Sequence, residues 1–355
     1  MTTARRALIA PESTPFYHVI NRCVRRAFLC GEDGLTGQSY EHRRGWIVDR
    51  VKDLSTIFCI DVCAYAVMNN HYHLVLKIDV DGAQRLNPKD VISRWLQLFH
   101  GHEVAAKYLK GDSLSDGERM LLDGLITKWH ERLSSISWFM RCLNEGIARK
   151  ANREDGCKGA FWEGRFKSQA LLDEQALLAC MMYVDLNPIR AGIADSLQDA
   201  DFTSIQERIR ELSNAERLFK IHDGDHRTAI DQAPSDVDLS STEPMLAKPL
   251  LSFDGAISPE KQQGIPFHFS DYLELIDWTG RAIRPDKRGS IDEHRPKLLT
   301  ELGIASDAWM LSAKAFRRQY GGVSGRWDAM CAFKVKHSSG KWCKGKLQSE
   351  ALHPH

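Results

Sequence analysis

The chain has 355 residues, 43% of them hydrophobic and 27% charged, which excludes a disordered or low-complexity polymer and leaves room for a large domain plus a second. Its formal net charge is +1, so a nucleic-acid partner has to be held by a local basic face rather than by the overall balance. The nine cysteines form no C-x-x-C pair, the longest apolar run is Ala176 to Val184, and the apolar stretch before Pro11 is short. A disulfide framework, a zinc ribbon, a spanning helix and a signal segment are all disfavoured, and a cytoplasmic, nucleoid-associated protein without membrane contact is expected.

Residues 16–24 (FYHVINRCV), rich in aromatic and β-branched types, predict a strand, the polar stretch 31–44 a loop, and 45–58 a helix with Trp46, Ile47, Val51, Leu54 and Phe58 near helical spacing. The apolar run from Cys59 to Met68 predicts a buried strand, Asn69-Asn70 a turn, and HYHLVLKID a second strand of period two, so the pair reads as a hairpin. Pro88 and Asp90 introduce a helix through Phe99, and residues 131–152 form a long helix carrying Leu133, Ile136, Phe139, Met140, Leu143 and Ile147. Between them residues 101–128 look like an insertion. FWEGRFKSQALL (161–172) predicts a strand, and an apolar helix runs from Glu174 to Tyr183 or slightly beyond. The order β-α-β-β-α-(α)-β-α predicts an α+β fold, a ferredoxin-like antiparallel sheet with helices on one face, over residues 1–222.

Composition then shifts. Residues 223–265 are polar and rich in Ser, Asp and Pro, and read as a linker or long surface loop. Beyond it, Ser270 and Ser306 are placed to cap two helices, the second stopped by Gly321-Gly322, which predicts a small helical C-terminal domain over 266–355.

Alternation along a strand puts His71 and His73 on one face, with Tyr72, Leu74 and Leu76 turned to the core. Two neutral imidazoles one residue apart form half a site for a divalent metal; the alternative is two polar residues on a solvated sheet face. Near the end of the apolar helix, Tyr183 and Asn187 are four apart and share a face if the helix persists. Asn187 offers a carbonyl oxygen to a cation, or else merely caps a helix begun by Pro188. Tyr183 reads either as a core aromatic or as a nucleophile. Asp173, Glu174 and Asp185 are further oxygen donors that nothing singles out, and the His100-Gly101-His102 triplet sits in no strand.

H-x-H on a hairpin strand, followed by a helical YVDLNPIRAGI (183–193), resembles the single-tyrosine HUH transposases, and more narrowly the tyrosine transposases associated with repetitive extragenic palindromes. FYHVINRCVRR, MNNHYHLVLK and FWEGRFKSQALL are similar as well, in the family's order, over roughly residues 15–200. The resemblance implies a ferredoxin-like catalytic domain, a Mg²⁺ or Mn²⁺ ion held by His71, His73 and Asn187, and strand transfer through a covalent 5′-phosphotyrosine on Tyr183. Two features depart from the family pattern: Tyr72 stands where an aliphatic residue is usual, and residues 101–128 lengthen the domain.

Cations flank the strand at 161–172: Arg141, Arg149, Lys150, Arg153, Lys158, Arg165 and Lys167, with Phe161, Trp162 and Phe166 among them. Cations for phosphates and aromatics for unstacked bases suit a single strand, so single-stranded or hairpin DNA is the expected partner; solvation of a helix end is the alternative for Arg149 to Arg153. Arg22, Arg25 and Arg26 offer a second positive edge. In the last predicted helix Lys314, Arg317 and Arg318 line a face that either reads a groove or is only solvated. Two rival functions share these features: a non-catalytic domesticated DNA-binding regulator, and a replication-initiator or relaxase-type nuclease. Both a monomer and a homodimer fit the sequence.

Overall fold

A computed structural model of the chain describes residues 8–24, 29–34, 36–224, 248–255, 263–283, 295–337 and 343–353. Arg25 and Arg26 lie outside the described residues, as does most of the expected linker. The first half contains β1 (Phe16–Arg22), α1 (Arg43–Ile57), β2 (Ile60–Val67), β3 (His71–Ile78), α2 (Val80–Gln84), α3 (Pro88–Leu96), α4 (Glu103–Lys110), α5 (Asp116–Leu133) and α6 (Ile136–Glu154). The second half contains β4 (Lys167–Leu171), α7 (Glu174–Asp185), α8 (Asn187–Arg190), α9 (Ser204–Gly224), α10 (Phe269–Ile283), α11 (Lys297–Glu301), α12 (Ser306–Gln319), β5 (Val323–Ser324), α13 (Trp327–His337) and α14 (Lys346–Leu352). No helix among them is long and apolar enough to cross a membrane.

The strands form one sheet in the order β2-β3-β1-β4-β5. The first four pair antiparallel and β5 runs parallel to β4. Period two in β3 gives this sheet two unlike faces. On one, Leu74 lines a small cavity with Ile47 and Val51 of α1, and the Tyr72 hydroxyl donates to Asn144 Oδ1 of α6 at 2.6 Å. Tyr72 is fully buried, as its alternation requires. On the other face Ala64 and Ala66 of β2 lie beside Val75 and His73, and their small side chains let α7 approach.

Helices therefore cover both faces, not one as expected. The reason was present in the composition of α7, in which every residue from Ala176 to Asp185 is buried. A helix apolar all round needs cover on all sides, and one sheet face covers only one. The far side is closed by α12, with which α7 packs, and by α10, whose Tyr272 hydroxyl reaches Asp185 at 2.6 Å. The described residues of 266–355 are mainly helical, yet they also supply β5, where Gly322 O accepts from Ala170 N and Ser324 O from Leu172 N. Residues just before them lie against β2, with Lys248 paired to Asp61 at 2.5 Å and Leu251 N donating to Val62 O.

The insertion is helical. Ser115 and Glu118 form a capping box on α5, and Trp129 stacks on Trp95 at 5.8 Å, which ties the insertion to α3. The strand expected at 161–172 is regular only from Lys167 to Leu171, and upstream of it Trp162 makes an isolated bridge to Cys23. Ser306 is the first residue of α12 and does not cap it.

Candidate functional site

Residues directly opposite in an antiparallel pair share a face, so the register assembles the site row by row. Arg22 faces His71, Ile20 faces His73, and His18 faces Val75 across β1 and β3. Across β1 and β4, His18 faces Gln169 and Ile20 faces Lys167. The face under α7 and α12 thus carries Arg22, His71, His73, His18, Gln169 and Lys167. His18 and Gln169 were not singled out in the sequence; the signal for His18 was its period-two spacing with Arg22.

Hydrogen bonds fix which ring nitrogens carry protons. Gln169 presents Oε1 to His18 Nδ1 at 3.3 Å, and His18 Nε2 lies 2.9 Å from His73 Nδ1. A carboxamide oxygen only accepts, so His18 Nδ1 donates; neutral His18 then accepts at Nε2 from His73 Nδ1, leaving the His73 Nε2 lone pair free. That Nε2 is buried with no partner among the described residues. Asn70 Oδ1 likewise accepts from His71 Nδ1 at 2.6 Å, which frees the His71 Nε2 lone pair. Burial first, and neighbouring cations second, lower His71 to about 4, and burial holds His73 well below its ordinary range. Burial lowers His18 to about 4, so all three rings are neutral near pH 7. The pair does not stand on a solvated face: His73 is 1% exposed.

Tyr183 meets this pair from α7. Its ring stands edge-on to His73 at 5.6 Å and to His18 at 6.2 Å, with Phe316 of α12 at 6.2 Å on another side. Its hydroxyl makes no hydrogen bond among the described residues. The Arg190 guanidinium lies 4.3 Å from the ring centroid, donates to Asn187 Oδ1 at 2.7 Å, and donates to the Lys314 carbonyl at 2.6 Å. That carbonyl adjoins a break in helical geometry at Ala315 of α12. Asn187 does not cap a helix with its side chain. Its oxygen is engaged by Arg190, and its Nδ2 is buried without a partner among the described residues. The Arg-Ala-Gly that follows ends α8 in a Schellman motif: Gly192 has φ +68°, Gly192 N donates to Ile189 O and Ile193 N to Pro188 O.

Asp185 and Asp173 have structural duties. Asp185 accepts from Ser204, Ile205 N and Tyr272, and burial raises it to about 6. Asp173 caps α7 through Ala176 N and accepts from Arg326 N. His102 caps α4 through Val104 N.

A groove of about 480 Å³ opens beside the histidines, lined by His18, Gln169, Arg165, Lys167, Arg317 and Tyr320. Arg165 also lines a second groove of about 440 Å³, with Trp138, Arg141, Asn144 and Trp162. Arg22 belongs to the histidine face by register. Arg149 and Lys150 do not: they are exposed on α6, on the Tyr72 side of the sheet, Arg149 paired with Glu145 and Lys150 4.0 Å from the Trp46 ring centroid. Of the cations on α12, Lys314 and Arg318 are exposed while Arg317 is half-buried toward the site.

The buried, unpartnered His73 Nε2 and the free lone pair of His71 are donors that fit a divalent ion. Among the described residues no group of three His, Cys, Asp or Glu side chains is placed to hold one.

No family model matches the sequence, and no curated protein matches it. Among solved structures, the chain is similar to that of a REP-associated tyrosine transposase bound to a REP hairpin, at 14% identity and a TM-score of 0.34, over 69% of this chain and 99% of the other.

Proposed function

We propose that this chain is a single-strand DNA endonuclease and strand transferase, a transposase acting on hairpin-associated DNA, with Tyr183 as nucleophile. One observation carries the reading: a tyrosine whose hydroxyl makes no hydrogen bond among the described residues packs edge-on against a histidine whose Nε2 is buried and without a partner among them. The strand order β4-β1-β3-β2, with β1 leading through α1 to β2, supports a ferredoxin-like catalytic core.

In this reading His71 and His73 would hold a Mg²⁺ or Mn²⁺ ion through their free Nε2 lone pairs, with Asn187 as the further candidate ligand. Such an ion, when bound, polarises the scissile phosphate and neutralises charge that develops there. His18 fixes the proton on His73 Nδ1, and Gln169 fixes the one on His18, so the outward lone pair is preset. Arg190 holds the Tyr183 ring and places positive charge 4.3 Å from its centroid.

Tyr183 Oη attacks the phosphorus as its proton leaves. A phenolic O–P bond forms, the P–O3′ bond breaks, and the departing 3′-oxygen takes up a proton. One fragment ends in a free 3′-hydroxyl and the other is joined through its 5′ phosphate to Tyr183. A 3′-hydroxyl attacking that ester reverses the exchange, so strands rejoin without ATP.

The test is to incubate the full chain with labelled single-stranded hairpin DNA and Mg²⁺ or Mn²⁺ and to look for a detergent-resistant adduct that Tyr183→Phe abolishes. A second reading, a non-catalytic DNA-binding regulator, is favoured by the 8% exposure of Tyr183 beneath α12. Hairpin binding with no adduct under any metal would select it.

A further inference from the structure

Arg317 sits in the last turn of α12, beyond the break in helical geometry at Ala315. It is half-buried, lines the groove shared by His18, Gln169 and Lys167, and makes no hydrogen bond or ion pair among the described residues. Arg22, on the same face beside His71, is also without a carboxylate partner among the described residues. A half-buried guanidinium has lost part of its hydration and normally regains it from an acid. Burial is the largest influence on it and lowers its pKa, and of its neighbours Tyr183 acts to raise it and Arg22 to lower it, with no carboxylate among them.

Gln169 adds an independent sign. It is 4% exposed, its Oε1 is engaged by His18, and its Nε2 is a buried donor with no partner among the described residues. Guanidinium, ammonium and amide N–H at one groove are all donors, and the groove's described lining contains no carboxylate. That set suits an anion with several acceptor oxygens, and the charges of Arg165, Lys167 and Arg317 all favour one there.

We propose that Arg317 is a phosphate-binding residue of the site: with Gln169 and Lys167 it holds the non-bridging oxygens of a phosphodiester against Tyr183 and the histidines. The proposal rests on the nuclease reading for its purpose, and it makes the C-terminal helices part of the site rather than an appendage. Arg317 differs in kind from Lys314 and Arg318 of the same helix, which are exposed and free to act only as diffuse charge.

The experiment uses the full chain labelled with ¹⁵N in histidine and arginine, titrated with thymidylyl-thymidine, which has one phosphodiester, and with its uncharged methylphosphonate analogue. The charged dinucleotide should shift the Arg317 Nε–H and the His18 and His73 ring signals, and the neutral one should not. Arg317→Met should weaken the charged probe at least about tenfold, since hydrogen bonds to ionised groups are the strong ones. Arg317→Lys should recover part of that loss, because it keeps the charge and loses the fork, and Lys314→Ala should bind as wild type. Equal binding of both probes overturns the proposal. So does wild-type binding by Arg317→Met together with a lowered melting temperature, which would make the residue a support for α12. Binding is read here without cleavage: a chain that holds the dinucleotide at Arg317 yet never forms a Tyr183 adduct keeps this inference and sinks the catalytic one.

Discussion

His73 donates its Nδ1 proton to His18 Nε2 at 2.9 Å, so the imidazole at the centre of the site is oriented from the neighbouring strand. His18→Ala would leave that N–H buried and unpaired and let the ring turn. Metal-dependent cleavage should fall about 10- to 100-fold, the usual cost of removing a group that orients a ligand, and stability by about 1–3 kcal/mol. Cleavage rate against Mn²⁺ concentration, with thermal melts alongside, checks both; an unchanged metal requirement would show that His18 only fills space.

Excess chelator should reproduce the loss of activity seen in His71→Ala and His73→Ala. The two alanine variants should differ in stability, however, because His73 is buried and His71 half-buried. Chemical denaturation should rank His73→Ala below His71→Ala, and full cleavage by the double variant would remove the metal assignment.

Arg190 joins three elements: it stacks on Tyr183, bonds Asn187 and reaches the Lys314 carbonyl of α12. Arg190→Lys keeps the charge but cannot span three partners with a planar fork, so it should behave nearly as Arg190→Ala. Each should cost about 1–3 kcal/mol and slow adduct formation, read by urea denaturation and by single-turnover cleavage. Wild-type rates in Arg190→Lys would reduce the residue to a generic charge.

Asp185 is buried and raised from 3.8 to about 6. A carboxyl whose folded pKa lies above its unfolded value contributes stability that is complete below the unfolded pKa and lost as pH rises through the folded one. Relative to Asp185→Asn, wild type should therefore lose about 2–3 kcal/mol between pH 4 and pH 7, at 1.36 kcal/mol for each pH unit separating the two pKa values. Denaturation of both proteins across that range measures it, and parallel profiles would mean the carboxyl ionises without penalty.

Much of the site could be read from the chain because strands and helices have fixed periods. Alternation put His71 and His73 together and Tyr72 in the core, and four-residue spacing put Tyr183 beside Asn187, where Arg190 touches both. What escaped depends on pairing between distant segments. Gln169 enters the site only through the register of β1 with β4, and His18, though spaced by period two from Arg22, meets His73 only through the register of β1 with β3. The short β5 and the burial of Arg317 depend on how the last ninety or so residues return to the sheet, although the all-apolar α7 already demanded a second cover.

That dependence makes truncation informative. Removing residues from 266 onward deletes β5 and takes Tyr272, Trp309, Phe316 and Met330 out of the core. Each such side chain is worth about 1.5–3 kcal/mol of burial, and α7 would present an apolar face to water. The truncated chain should be insoluble or lack a cooperative melt; a soluble, cooperatively folding fragment would show that residues before 266 complete their own core.

The most direct test of the nuclease reading is peptide mass analysis of the full chain after reaction with single-stranded hairpin DNA and Mn²⁺. The account predicts one modified peptide, carrying a 5′-phosphonucleotide on Tyr183, with an equal amount of DNA ending in a free 3′-hydroxyl, and neither product from Tyr183→Phe. DNA cut by Tyr183→Phe, or an adduct on any other residue, would contradict it.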